Sequence, residues 1–394
     1  MVKRSSLYPA RPETKIMVLL GALLMLGSQA CRKENLKDES KSQETRALSE
    51  VAPENNEFNL SAPTEEEFIQ LQTLFGSMQL GRVTQIADAF SNGYHSGNSF
   101  ASEADQAVDQ AFFEDLWAGN YNKIEHHMGA YEALAGQGKA VALARMGFLN
   151  VWKFAERYRL QAEPGPLPPE VQGALGPNLG ACAQYFEAAE GVAPQNAVYK
   201  GFAASCQFLN GLGPDGPASV LKAFKTSQTA IKLNPEFNLF TIGYILTFFP
   251  HDSQQFQLGL EMFFRNLELC FDGKVDRENP DVSKLMPLFV SEGNKKYCAN
   301  SEKAPYNFEG FFLILGDLLV KNGQVDAAIT AYNTSKALPS YGTWPYAAVL
   351  EARIAAADQL VTAFRAPVDP MVKPDYPTTT FNTEYACMAC HQKQ

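Results

Sequence analysis

The chain has 394 residues, a length that corresponds to about two or three domains or to one long repeat array. Hydrophobic residues make up 46% and charged residues only 19%, which is enough apolar side chain for a sizeable core. The 33 basic and 43 acidic residues give a net charge of -10, which argues against a nucleic-acid-binding protein. Beyond the N-terminus the sequence has no apolar stretch long enough to span a bilayer, which excludes a multi-span membrane protein.

Residues 1–30 have the order of a secretory signal peptide. Basic residues come first, an apolar run of eleven residues follows at positions 16–26, and the small residues Ser28 and Ala30 come last. A short N-terminal anchor helix is the alternative interpretation. The pattern predicts export from the cytoplasm into an oxidising compartment.

Ala30-Cys31 resembles the lipoprotein box of bacterial lipoproteins. The resemblance implies that Cys31 becomes a lipidated N-terminus, although the same small residues also suit ordinary signal peptidase. Residues 31–63 are polar and charged, which is typical of a disordered tether. We therefore expect a periplasmic lipoprotein that contacts the membrane through its lipid anchor.

Residues 64–365 show helical periodicity almost throughout, with apolar residues at spacings of three and four. A weak internal repeat underlies this periodicity, and its clearest copy reads Phe312-x2-Leu315-Gly316, Asn322-Gly323, Ala328-x3-Tyr332 and Pro339. This copy resembles the tetratricopeptide pattern. The resemblance implies an all-α fold, a solenoid of stacked helix pairs whose surface binds other proteins. An irregular helical domain is the alternative.

Other segments repeat parts of the pattern or interrupt it. The partial copies are Phe186-Ala189-Pro194, Ala223-Ala230-Pro235 and the turn Gly119-Asn120-Tyr121. Proline and glycine predict that residues 163–176 break any helix and that 211–217 form a loop, and 271–305 have the composition of an insert. Residues 347–364 are predicted to form a closing helix.

The C-terminal residues 366–394 are rich in proline up to Pro377. Proline at this density predicts an extended, polyproline-like tail. We expect the core to lie before Arg365, so that the tail could be removed without loss of helicity.

Four cysteines lie within the predicted solenoid. Cys182 and Cys206 are placed symmetrically about Ala193-Pro194, so that an antiparallel helix hairpin brings them level and a disulfide can form. Cys270 and Cys298 bracket the insert and could pair in the same way. All four could instead be small buried hydrophobic residues.

The two remaining cysteines form Cys387-Met388-Ala389-Cys390-His391, close to the C-terminus. This C-x-x-C-H sequence resembles the attachment site of c-type cytochromes. The resemblance implies one covalent haem c, with Cys387 and Cys390 as thioether ligands and His391 as an axial iron ligand. A thioredoxin-like redox pair, a zinc site and a chance match are the alternatives.

The second axial ligand is left open by the sequence. His127, His126 and Met371 are the candidates, and His251 and His95 are further histidines. A second histidine would keep the reduction potential low and a methionine would raise it. An open sixth position is also compatible with the sequence.

The sequence has no catalytic motif apart from the predicted haem site, and three functions remain. The first is an exported monohaem electron-transfer protein that docks to a redox partner through its helical repeats. The second is a repeat scaffold for periplasmic protein–protein interactions with a structural haem. The third is a haem sensor or peroxidase with an open axial site.

Overall fold

The structure is a computed structural model that describes Phe100, residues 102–211 and residues 216–393. The predicted signal peptide, the lipidation site Cys31, the tether and His95 lie outside these residues.

Twelve α-helices dominate this part of the chain. They are α1 (Glu103–Trp117), α2 (Ile124–Gly136), α3 (Ala140–Ala155), α4 (Pro169–Val192), α5 (Ala197–Asn210), α6 (Gly216–Leu233), α7 (Pro235–Leu246), α8 (Gln254–Phe271), α9 (Asn307–Asn322), α10 (Val325–Lys336), α11 (Ala347–Arg365) and α12 (Met388–His391). The only strands in the described residues are two short ones, β1 (Gly165–Pro166) and β2 (Val372–Lys373), which pair antiparallel.

Helices that follow each other in the chain pack against each other. The pairs α3–α4, α4–α5, α5–α6, α7–α8 and α9–α10 form the main contacts, and α5 also packs against α7. The chain is therefore an all-α solenoid of stacked helix pairs, as the periodicity predicts.

The pair α9–α10 shows why the repeat carries small residues. A Cβ atom at Gly316 would overlap the ring of Tyr332, and Ala328 is fully buried, so the two helices approach closely at these positions. Gly323 ends α9 with a φ of 92°, in the left-handed region that favours glycine. The predicted turn at Asn322-Gly323 is thus confirmed.

The prediction that residues 163–176 break any helix is wrong for its second half. Helix α4 begins at Pro169 and continues through Pro177. Proline is tolerated in the first helical turn, because its missing N–H has no intrahelical partner there. The insert and the closing helix agree better with prediction, since α8 ends at Phe271, short 3₁₀ turns follow, and α11 begins at Ala347.

Both expected cysteine pairs lie at disulfide distance. The Cα atoms of Cys182 and Cys206 are 5.7 Å apart, and those of Cys270 and Cys298 are 6.0 Å apart. The first pair joins α4 to α5, and the second fastens the insert to the end of α8. The hairpin register inferred from the sequence is confirmed.

The C-terminal tail returns across the solenoid after α11. Strand β2 pairs with β1, and the buried guanidinium of Arg157 donates from Nε to the carbonyl of Pro370 at 2.8 Å. Further along, the buried ring of Phe381 packs edge-on against Tyr244 at 5.1 Å between ring centroids. The tail is extended, as predicted, and it lies against the helices.

A buried carboxylate fixes the tail to α9. Asp317 Oδ2 accepts from the backbone N of Thr380 at 2.7 Å and from its hydroxyl at 2.8 Å. Asp317 Oδ1 accepts from the hydroxyl of Tyr332 at 2.7 Å, and it lies 3.3 Å from Nε of Arg353, which is also buried. One side chain thus ties the tail to two neighbouring helices.

The expectation that the core lies before Arg365 is wrong. Phe381, Met388 and Ala389 are buried, with 4%, 0% and 0% of their surface exposed. Met388 belongs to the same apolar cluster as Trp117 and Trp152, and Ala389 packs with the residues of α9. The tail is part of the core, because apolar side chains at its end fill space between helices.

Among the described residues, no helix combines the length and the apolar composition that a membrane crossing requires.

Replacement of Asp317 by Asn should destabilise the protein by about 3 kcal/mol, because it leaves the buried Arg353 without its counter-ion. Urea unfolding measures the change. Asp326→Asn is the matched control, since Asp326 is exposed on α10, and it should change stability by less than about 0.5 kcal/mol. Equal stability of the two variants would contradict the role given to Asp317.

The disulfide between Cys182 and Cys206 closes a loop with a sequence separation of 24. In the chain-entropy description this contributes roughly 3.5 kcal/mol, so reduction should lower the unfolding midpoint markedly. Alkylation of the oxidised protein followed by peptide mapping should find both pairs protected. Recovery of alkylated Cys182 and Cys206 from folded, oxidised protein would refute the pairing.

Candidate haem-attachment site

The motif forms a single helical turn. The backbone N atoms of Cys390 and His391 each lie 3.3 Å from the carbonyl oxygen of Cys387. The backbone N of Ala389 donates to the carbonyl oxygen of Tyr385 at 2.9 Å. Residues three and four positions apart share one helix face. The two thiols and the imidazole therefore belong to one turn, which is the arrangement that the spacing implies.

The carboxylate of Glu156 holds the start of this turn. Its Oε1 accepts from the backbone N atoms of Cys387 and Met388, each at 3.0 Å. Its Oε2 accepts from Trp152 Nε1 at 2.9 Å and from Arg159 Nε at 2.6 Å. Burial raises the pKa of Glu156, while the charge of Arg159 and the donated hydrogen bonds act in the opposite direction. Four hydrogen-bond donors surround this buried carboxylate, and its ionised form can accept from all four.

A glycine on α9 makes room for the second thiol. A Cβ atom at Gly310 would overlap Sγ of Cys390 and would lie 3.1 Å from the carbonyl carbon of Ala389. The carbonyl oxygen of Ala389 accepts from Trp344 Nε1 at 2.8 Å, and that of Cys390 accepts from the N of Tyr306 at 3.1 Å. The motif backbone is thus held on α9 and on the segments that flank it.

His391 has one nitrogen engaged by the backbone. Its Nδ1 lies 2.8 Å from the carbonyl oxygen of Lys303, which can only accept, so Nδ1 carries the hydrogen. The hydrogen bond assigns the lone pair to Nε2, the nitrogen that a metal would use, and histidine ligands are held in this way by a carbonyl or carboxylate. Burial lowers the pKa of His391, which favours the neutral, ligating form.

The two thiols have the character of apolar groups. Burial raises the pKa of Cys387 well above its ordinary value and raises that of Cys390 to about 12. A thioredoxin-like pair needs a thiolate with a lowered pKa, so the structure disfavours that alternative. Within the described residues, no cluster of three or more His, Cys, Asp or Glu side chains could hold a metal ion.

The residues present fit a covalent haem. The missing side chain at Gly310 leaves room for Sγ of Cys390. The hydrogen bond at Nδ1 leaves Nε2 of His391 available for coordination. A c-type haem needs two thiols and one imidazole on a single turn, and the chain supplies all three from Cys387, Cys390 and His391.

The candidate second ligands are placed elsewhere. His126 is exposed, and His127 is buried with its Nε2 at 2.9 Å from Oδ2 of Asp115. In the series of ring contacts that leads from His127 to His391, the rings of Phe112 and Phe148 stand between them.

Met371 lies beside β2, where its carbonyl accepts from the N of Leu167 at 2.9 Å. His251 lies before α8 and is half-buried. In the described part of the chain, neither side chain has a hydrogen bond or ring contact with the motif.

Sequence reasoning missed the residues that support the motif. Glu156 and the carbonyl of Lys303 carry no local signal, because their partners lie 231 and 88 positions away in the chain. Gly310 does carry one, because a lone glycine among bulky residues within a helix indicates close packing.

Comparisons with protein-family models, with curated proteins and with solved structures found no match to this chain.

Replacement of Gly310 by Ala should displace the motif. Alanine stabilises an isolated helix by about 1 kcal/mol relative to glycine, but the added methyl group overlaps Cys390 and Ala389. We expect a lower unfolding midpoint and faster proteolysis after residue 366 in Gly310→Ala. Gly180→Ala on α4 is the matched control, since a Cβ atom there meets no described atom within 4 Å. Wild-type behaviour of Gly310→Ala would show that the motif is not seated on α9.

Proposed function

We propose that this protein is an exported monohaem c-type cytochrome-like electron-transfer protein whose helical repeats form the docking scaffold. The observation that carries the proposal is the hydrogen bond from His391 Nδ1 to the Lys303 carbonyl, within a turn that also bears both thiols. A histidine fixed in this way is prepared to bind a metal through Nε2. Export to the periplasm, lipidation at Cys31 and tetratricopeptide character are parts of the same proposal.

The chain's own residues have separate roles in it. Cys387 and Cys390 hold the cofactor covalently, and His391 binds its iron. Glu156 holds the start of the turn, and Gly310 leaves space for the second attachment. The bound haem supplies reversible one-electron transfer between ferric and ferrous iron.

The buried position of the motif favours a haem that is fixed in the fold, as electron transfer requires, over a haem on a mobile tail. Met388 and Ala389 are fully buried, so the motif cannot move without opening the core. A fixed site reorganises little when its charge changes, and the solenoid presents it to a redox partner. The net charge of -10 suits a partner with a basic docking surface.

A repeat scaffold with a structural haem is the second candidate. It is favoured by the motif backbone, which fastens α3, α9 and the segment before α11 through Glu156, Tyr306 and Trp344. The midpoint potential and the rate of reduction by small mediators separate the two, because an electron carrier must cycle rapidly.

The covalent haem is tested by expression with a haem-attachment system and export. The mature wild-type protein should show a c-type pyridine spectrum and a mass increased by one haem, while Cys387→Ser with Cys390→Ser should show neither. The same mass reports the lipid and the disulfides.

Met388→Leu is the matched control, because it keeps the volume of a buried residue that is not a predicted ligand, and it should retain the haem. Haem-free wild-type protein from a host that loads other c-type cytochromes would refute the proposal.

A further inference from the structure

Half-buried aromatic rings on successive helices form a series that begins at the motif. Phe148 of α3 lies 6.2 Å from the ring of His391, measured between centroids. Phe202 of α5 lies 6.1 Å from Phe148, and Phe237 of α7 lies 5.7 Å from Phe202. The first helices of three neighbouring pairs thus place one aromatic ring each in a row that reaches the imidazole.

The series continues along α7 and ends at α9. Phe237, Phe240 and Tyr244 are spaced by three and four residues and therefore share one helix face. Phe240 stacks on Tyr244 at 6.0 Å and lies 5.5 Å from Phe311. Phe311 follows Gly310, the residue against which Cys390 lies. We call Phe148, Phe202, Phe237, Phe240 and Tyr244 the aromatic arc.

All five rings of the aromatic arc are half-buried. Other phenylalanine rings, such as Phe112, Phe186 and Phe224, are fully buried. A contiguous set of partly exposed rings is typical of a surface that receives an apolar ligand. Its first ring contacts His391, which indicates which ligand that is.

A buried polar atom points to the same ligand. The hydroxyl oxygen of Tyr244 is buried and has no hydrogen-bond partner among the described residues. Burial raises the pKa of Tyr244 well above its ordinary value, and Cys387 and Cys390 are among the groups near enough to influence it. The hydroxyl therefore stays protonated and is available as a donor. Buried hydroxyls are almost always paired, so this one calls for an acceptor.

We propose that the haem attached to Cys387 and Cys390 lies against the aromatic arc, with the Tyr244 hydroxyl as the polar group that faces it. This inference rests on the proposed function. A flat, apolar macrocycle suits a row of aromatic rings, and a bound oxygen ligand or a haem oxygen suits the donor.

The test uses exported, full-length protein that carries its covalent haem. Tyr244→Phe removes only the hydroxyl, and Phe202→Gln places a polar group in the middle of the arc. Both should keep the haem stain, because neither residue belongs to the motif. Both should shift the Soret maximum and the midpoint potential away from the wild-type values.

Matched controls lie outside the arc. Tyr341→Phe removes a hydroxyl that is bonded to Glu351, and Phe289→Gln changes a half-buried ring of the insert. Neither control should alter the spectrum or the potential. Covalent haem with unchanged spectra and potentials in Tyr244→Phe and Phe202→Gln would overturn the inference and leave the proposed function standing. Absence of haem from the wild-type protein would remove the proposed function itself, so the two failures are distinguishable.

Discussion

The carboxylate of Glu156 is the constraint that fixes where the end of the C-terminal tail docks. One of its oxygens binds the backbone of Cys387 and Met388, and the other is held by Trp152 and Arg159. A buried carboxylate without donors would be strongly unfavourable, whereas one that receives several hydrogen bonds is stable. These hydrogen bonds therefore hold the end of α3 and the motif turn in one register.

The same device recurs along the tail. Arg157 binds the carbonyl of Pro370, Asp317 binds Thr380, and Arg353 donates to the carbonyl of Thr378. Proline-rich backbone has few N–H groups to offer, so most of these contacts use buried charged side chains that reach its carbonyls. Buried charges contribute little net stability, but each one allows few alternative partners. They select one path for a segment that has little secondary structure of its own.

Much of the fold could be predicted from sequence because its signals are local. The spacing of Ala328 and Tyr332, the turn at Gly323 and the level placement of Cys182 and Cys206 each depend on residues within one helix pair. The docking of the tail could not be predicted in this way. Glu156 and Cys387 are 231 positions apart, and neither residue type indicates the other. Proline density described the local conformation of the tail correctly and gave no information about what lies beside it.

The candidate site, too, could be predicted from the sequence only in part. The motif is readable from five consecutive residues, whereas its surroundings come from distant parts of the chain: α12 packs against α9 and α1, and Glu156 follows α3. Cys390 is buried against Gly310, and Cys387 is half-buried. Under the proposed function, haem attachment therefore precedes the docking of the tail, because a thiol enclosed by α9 cannot reach a large planar reactant. Burial of Met388 and Ala389 then locks the loaded turn in place, so that one set of contacts completes the core and positions the cofactor.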